Sequence, residues 1–409
     1  MDAQHYIEEA QKALQPTFAE LDLQVKFHLQ RILDVFRHQR VGVRHFASVS
    51  GYGHGDLGRE TLDRVFADVM AAEAAAVRVQ FVSGTHAIAC ALFGVLRPGD
   101  EMLAVAGTPY DTLEETIGLR GQGCGSLRDF GIQYRQLELT ENGQIDWDNL
   151  STSINPNTRL VFVQRSCGYS WRQSLCISDI ERIVNTVKQQ NPHTICFVDN
   201  CYGEFVESVE PTAVGADLMA GSLIKNPGGT IATAGGYVAG KQDLVEAAAC
   251  RLTAPGIGSG GGATFDQNRL LFQGLFLAPQ MVAESLKGNH LTAVVFDKLG
   301  YRVNPQPWVP RRDTIQAIKL GSPEKLTAFC RALQKYSPVE SYVDPIPAAM
   351  PGYESDLVMA GGTFVDGSTS EFSADGPLRE PYIAFCQGGT HWTHVAIALE
   401  AGIDAIADW

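Results

Sequence analysis

Apolar positions recur every three or four residues along the start of the chain. In "LQVKFHLQRILDVFRHQRV", Val25, Leu29, Ile32 and Phe36 fall on one helical face, which predicts a long amphipathic helix over the first forty or so residues. The glycine- and serine-rich "ASVSGYGHGDLGRET" predicts a loop. A second helix is expected over 62–75, a strand in "VRVQFV" over 78–82, then a turn opening into a helix in "SGTHAIACALFGVL". Further on, "GDEMLAVAG", "TRLVFVQ", "HTICFVDN", "ADLMAGSLIKN" and "GGYVAG" read as strands. "ISDIERIVNTVKQQ" reads as an amphipathic helix with Ser178 as its N-cap.

Strands that are nearly all apolar and alternate with helices predict an α/β fold, with a mostly parallel sheet covered on both faces. Beyond about residue 290 the rhythm breaks into proline-rich phrases such as "NPQPWVPRR" and "YVDPIPAAMPGYESD", which predicts a smaller α+β domain. The expected division is an N-terminal helical arm (1–50), a large domain (51–290) and a small C-terminal domain (291–409).

Composition narrows the function classes. A net charge of −14 repels phosphate backbones and argues against nucleic acid as a partner. No apolar run approaches the roughly 20 residues needed to span a bilayer. The start, "MDAQHYIEEAQKAL", lacks the basic and apolar segments of a signal peptide. The nine cysteines show no C-x-x-C spacing, so free thiols in a reducing cytoplasm are expected. "GIGSGG" at 256–261 matches G-x-G-x-x-G in form, but Ala254-Pro255 precedes it in place of a strand. A mobile loop beside the active site is the better expectation. "HWTH" offers His391 and His394 without an acid or cysteine to complete a metal site, so capping or core roles are expected and no metal.

Parallel sheets bind ligands at the carboxyl ends of their strands. Ser83-Gly84-Thr85 stands at one such end, either as a phosphate-binding helix start or as an ordinary N-cap. Tyr110, after Thr108-Pro109, offers a ring to a flat ligand or to packing. Asp199 ends an apolar strand, as a site carboxylate or a turn residue. Ser222 and Lys225 lie in "GSLIKNPGG", where one charge interrupts an apolar run. Lys225 is either a surface lysine or an amine whose pKa burial lowers for nucleophilic work. Together these are the groups that pyridoxal phosphate needs: a lysine for the Schiff base, a carboxylate for the pyridine nitrogen, and donors for the phosphate.

The ordered motifs Ser83-Gly84-Thr85-His86-Ala87, Pro109-Tyr110-Asp111-Thr112, Asp199-Asn200-Cys201-Tyr202 and Ser222-Leu223-Ile224-Lys225 resemble the fold-type I pyridoxal-phosphate enzymes of cysteine and methionine metabolism. "QRSCGYSWR", "DNCYGEF", "IKNPGGTIA" and "GPLREPYIAFCQGG" are most similar to the branch described as aluminium-resistance or methionine γ-lyase-like proteins. The resemblance spans about residues 45–395. It implies a seven-stranded sheet, pyridoxal 5′-phosphate as cofactor, and an amino acid as substrate. Lys225 would be the Schiff-base lysine, Asp199 the partner of the pyridine nitrogen, and Tyr110 the stacked ring. Ser83, Gly84, Thr85 and Ser222 would hold the phosphate. Tyr52 would reach the phosphate of a neighbouring subunit in a homodimer or homotetramer. The family's Y-x-R reads Tyr52-Gly53-His54 here, which leaves His54 or Arg59 to replace the arginine. Arg379 matches the arginine that clamps a substrate carboxylate, a bidentate task, and Arg172 and Gln164 complete the implied substrate set. The implied reaction is carbon–sulfur β- or γ-elimination. An aminotransferase, an aldolase or a non-catalytic pyridoxal-phosphate-binding stress protein are the alternatives.

Overall fold

The computed structural model describes residues 3–121, 124–350, 352–368 and 370–407. The chain opens with α1 (Ala3–His38) and α2 (Leu57–Val69), followed by β1 (Ala74–Arg78), α3 (Gly84–Val95), β2 (Glu101–Ala104), α4 (Asp111–Ile117) and β3 (Gln133–Gln136). It continues through α5 (Trp147–Ser153), β4 (Thr158–Gln164), α6 (Ile177–Gln190), β5 (Ile195–Asp199), β6 (Leu218–Ser222), β7 (Gly236–Gly240) and α7 (Gln242–Leu252). The long α8 (Asn268–Lys298) leads to β8 (Arg302–Asn304), β9 (Ile315–Lys319), α9 (Pro323–Gln334), β10 (Leu357–Ala360), β11 (Ser373–Pro377), β12 (Ile383–Gln387) and α10 (Trp392–Ala407).

The first sheet has the order β1-β7-β6-β5-β4-β2-β3, with β7 antiparallel to both its neighbours and the other pairs parallel. Residues of β5 and β6 are all buried, as a sheet covered on both faces requires. The second sheet, β10-β11-β12-β9-β8, is antiparallel throughout and is packed by α9 and the C-terminal part of α8, with α10 lying against those two helices. This is the α/β fold of the fold-type I enzymes, with a smaller sheet domain at the C-terminus.

α8 joins the two cores. Its Val282, Ala283 and Leu286 pack beneath the first sheet, and its Leu291, Val294 and Phe296 belong to the second core. Residue 290 therefore lies inside a continuous helix and not in a linker. α1 runs antiparallel along α8, pinned by Glu9–Lys298 (2.8 Å) and Asp22–Lys287 (2.7 Å). The N-terminal helix thus has a place on its own chain. Leu23, Phe27 and Leu33 stay exposed on its outer side. Among the described residues no helix is long and apolar enough to cross a membrane. All nine cysteines are free.

Three local expectations need correction. The helix expected over 62–75 ends at Val69, Ala71 turns left-handed (φ 52°), and the strand begins at Ala74 rather than 78. The alanines after Glu73 favour helix in isolation, but Ala74, Ala75 and Ala76 are claimed by pairing with Gly240, Ala239 and Val238 of β7. The N-cap of α6 is Cys176 rather than Ser178, because the Asp179 carboxylate accepts the Cys176 N–H at 3.0 Å. The glycine-rich 256–262 segment, expected to be mobile, is tied down. Arg78 donates to Ser259 O (2.9 Å), Arg59 to Gly260 O (3.1 Å) and Gly262 O (2.7 Å), and Ser259 Oγ to Glu246 (2.7 Å).

Candidate active site

The carboxyl ends of β4, β5 and β6, with the turns that follow β1 and β2, surround a cavity of about 400 Å³. Ile315, Asp375, Phe385 and Gln387, from β9, β11 and β12, close it from the second sheet. Ser83 caps α3 by accepting the His86 N–H at 3.1 Å. Gly84 sits so close to its neighbours that a Cβ there would lie 3.1 Å from Ser222 Cβ and 3.2 Å from Cys201 Sγ. The backbone at the start of α3 therefore forms one wall of the cavity, and its first N–H groups suit an anion. Tyr110 is held at both ends: its N–H donates to Gln164 Oε1 (2.8 Å) and its hydroxyl to Thr85 Oγ1 (2.9 Å).

Asp199, the last residue of β5, is almost fully buried and accepts the Cys201 N–H at 3.1 Å. Burial pushes its carboxyl up to about 6, against the opposing pull of the Cys201 hydrogen bonds, Lys225 and Arg172. Lys225 follows β6, with Nζ hydrogen-bonded to the Tyr202 hydroxyl and 3.7 Å from the centre of the Tyr202 ring. Burial lowers the lysine, as its apolar run suggested, but Tyr202, Cys201 and Tyr353 outweigh it and the net direction is upward. The expected lowering does not hold in this structure, because the groups folded around the amine are phenols and a thiol rather than aliphatic side chains. Tyr202 adopts φ 70°, a left-handed conformation that non-glycine residues rarely take and that clusters at functional sites.

Lys225, Asp199, Tyr110, Ser83, Gly84, Thr85, Ser222 and Gln164 all line this one cavity. Five other predicted site residues do not. Arg172 is buried with its guanidinium donating to the backbone carbonyls of Gln164 (2.9 Å), Ser166 and Gln173 (2.9 Å). It braces the segment after β4 and has no fork turned to a substrate. Arg379 is exposed in the turn between β11 and β12, four positions past Asp375, the β11 residue that faces the cavity. Tyr52 is 83% exposed and outside the cavity, with His54 exposed beside it at a ring separation of 5.8 Å. Arg59 has no exposure, and its donors go to Gly53 O (2.6 Å), Gly262 O and Gly260 O, so it is not free to replace the family's phosphate-binding arginine.

The structure adds residues that sequence reasoning missed. Tyr202 stands in sequence only as the end of a motif. Asp375 gives no signal there, because "SADGP" reads as a turn. It is a buried carboxylate lining the cavity, held by Tyr169 Oη (3.3 Å) and Gln387 Nε2 (3.0 Å). Burial pushes it up to about 6 as well. The set fits pyridoxal phosphate. An amine and a buried carboxylate share one cavity with a fixed aromatic ring, and a helix start too tight for a side chain at Gly84 suits a phosphate.

The sequence profile of the methionine gamma-lyase family matches residues 3–407. An uncharacterized Bacillus subtilis protein, YnbB, is 51% identical over 377 residues, covering 92% of this chain and 90% of that protein. Two solved structures superpose closely. One, from Listeria monocytogenes, is provisionally assigned as a cystathionine beta-lyase involved in aluminum resistance (TM-score 0.96, 46% identity, 99% of this chain and 100% of that one). The other, from Clostridium novyi, is described as a carbon–sulfur lyase involved in aluminum resistance (TM-score 0.94, 45% identity, 99% and 96%). The pyridoxal-5′-phosphate-dependent Escherichia coli protein YhfS shares the fold (TM-score 0.64, 15% identity, 93% and 96%). With its profile matched from end to end and these relatives covered almost completely, the chain belongs to the methionine gamma-lyase family.

Proposed function

We propose that this protein is a pyridoxal-phosphate-dependent carbon–sulfur lyase acting on a sulfur-bearing amino acid. The observation that carries the reading is the convergence of Lys225, Asp199, Tyr110 and the start of α3 on one cavity. When bound, pyridoxal phosphate supplies a ring that takes up electrons released at the substrate's α-carbon. Asp199, a buried carboxylate, would hold a proton on the ring nitrogen, where the low-dielectric surroundings make its charge strongly felt. Tyr110, fixed by Gln164 and Thr85, would hold the ring by stacking on it. The first N–H groups of α3, with the Thr85 and Ser222 hydroxyls, would hold the phosphate. Lys225 Nζ takes the proton from the substrate's α-carbon, and the Tyr202 hydroxyl orients that amine. Family membership and the carbon–sulfur lyase description of the Clostridium novyi relative favour elimination over amino transfer.

The active site is shared between subunits in this reading. Tyr52 and His54 are exposed, on a loop that Arg59 anchors to the 256–262 segment, from which they would reach the phosphate of a second copy. The test of the reaction is a screen of the purified protein, loaded with pyridoxal phosphate, against cystathionine, methionine, homocysteine and cysteine. At least one substrate should release keto acid and ammonia in equal amounts. Transfer of the amino group to an added keto acid, with no ammonia released, contradicts the lyase assignment.

A further inference from the structure

The catalytic cavity is acidic, and one of its carboxylates has no task in the chemistry above. Lys225 is the only lysine or arginine that lines it among the described residues, against Asp111, Asp199, Asp366 and Asp375. Asp111 has Arg120 at 3.9 Å, Asp366 is exposed, and Asp199 serves the ring nitrogen. Asp375 remains. It is 3% exposed and lies on β11, whose Ala374 belongs to the second core. Alternation along the strand turns Asp375 to the opposite side, where Phe385 and Gln387 of β12 also line the cavity. Tyr169 Oη (3.3 Å) and Gln387 Nε2 (3.0 Å) both donate to one oxygen, Oδ2. The other oxygen, Oδ1, accepts no hydrogen bond among the described residues and is not sealed in the interior, so it opens onto the cavity. The cation whose charge reaches Asp375 is Lys225, yet Lys225 Nζ is bonded to the Tyr202 hydroxyl.

A buried carboxylate with an open oxygen is disfavoured unless a cation or another donor meets it. Holding Tyr169 and Gln387 in place does not need a charge, because an amide oxygen can accept from both. The inference rests on the lyase reading, in which Lys225 takes a proton from the substrate's α-carbon and the substrate therefore lies in this cavity. The α-amino group common to all amino acids belongs at the cofactor, so the cation that meets Asp375 is a second one. We propose that Asp375 sets substrate specificity, its Oδ1 accepting a hydrogen bond from an ammonium group on the substrate's side chain. The substrate class is then amino acids with a second, side-chain nitrogen cation, and amino acids with uncharged side chains are the weaker ligands.

The test measures binding to the holoenzyme by equilibrium dialysis near pH 8, where Asp375, its carboxyl pushed up to about 6 by burial, is ionised. The probes are L-ornithine and L-lysine, paired with L-norvaline and L-norleucine, which lack the side-chain ammonium. None of them has sulfur, so no carbon–sulfur bond is broken during the measurement. At least one diamino acid should bind about tenfold or more tightly than its uncharged counterpart, as a hydrogen bond between charged groups in a buried site provides. In Asp375→Asn that ratio should fall to near one, through loss of affinity for the diamino acid, while the uncharged counterpart binds as before. Asp375→Ser, smaller and uncharged, should behave alike. Equal or undetectable affinities in the wild type overturn the proposal, as does a ratio that persists in the variants. An equal loss of both ligands, or failure of both variants to fold, also overturns it and makes the carboxylate a structural support. The outcome is separate from that of the elimination screen: a ratio near one in an active lyase refutes the role of Asp375 and leaves the reaction standing.

Discussion

Replacing Asp199 with asparagine removes one buried charge while keeping the side chain's shape and its acceptor for the Cys201 N–H. In the folded, cofactor-free chain the carboxyl keeps its proton up to about 6, whereas the ordinary value is 3.8. The folded state therefore binds more protons than the unfolded one between those values, and stability falls as pH rises through that window. Below about 4 both states are protonated and the residue carries no penalty. Above about 6 both are ionised and the folded state bears the full penalty, about 3 kcal/mol at roughly 1.4 kcal/mol per pH unit. The asparagine side chain carries no charge at any pH. The cofactor-free Asp199→Asn variant should thus be more stable than wild type by about 3 kcal/mol near pH 8, and the two should converge near pH 4. Urea unfolding at both pH values measures this, with the difference read from the midpoints at a common slope. The same variant should lose most of its turnover, since an amide cannot hold the ring nitrogen protonated. Equal stability near pH 8, or a variant less stable at both pH values, refutes the reasoning about burial. Near-normal turnover refutes the catalytic role.

Other residues give sharper local tests. Tyr110→Phe keeps the ring but loses the 2.9 Å bond to Thr85, so cofactor affinity measured by equilibrium dialysis should fall by roughly fivefold, about 1 kcal/mol. Tyr110→Ala, which removes the ring, should weaken it by a further tenfold or so. Arg59→Met strands the carbonyls of Gly53, Gly260 and Gly262, and should lower stability by about 3 kcal/mol and speed hydrogen exchange over 258–263. Inactive Tyr52→Ala and Lys225→Ala chains, co-expressed, should regain part of the activity, because one site in the hybrid has both residues intact. No recovery from subunits shown to exchange would place Tyr52 outside the neighbour's site.

The strands of the first sheet were legible because β4, β5 and β6 are buried on both faces and their side chains are almost all apolar. The same feature made Asp199 and Lys225 conspicuous as charges at strand ends. Alanine carries no such signal, so the start of β1 reads as helix in sequence and only its pairing with β7 makes it a strand. Arginine was the least legible residue. Arg59, Arg172 and Arg379 look alike in sequence, yet two are buried against backbone carbonyls and one is exposed in a turn. Which carbonyls a guanidinium meets is set by loops that come together from distant parts of the chain, such as 53 and 260–262. Asp375 was hidden for a related reason: a glycine and a proline follow it, and only the second sheet's pairing with β12 turns it toward Lys225.

The central claim, that Lys225 is the residue to which pyridoxal phosphate attaches, is tested most directly by covalent capture. The purified protein is incubated with the cofactor, reduced with borohydride, digested, and its peptides are mapped by mass spectrometry. The account predicts a cofactor adduct on the peptide that carries Lys225, and its loss in Lys225→Ala. An adduct confined to another lysine, or none in protein that is folded and saturated with cofactor, contradicts it.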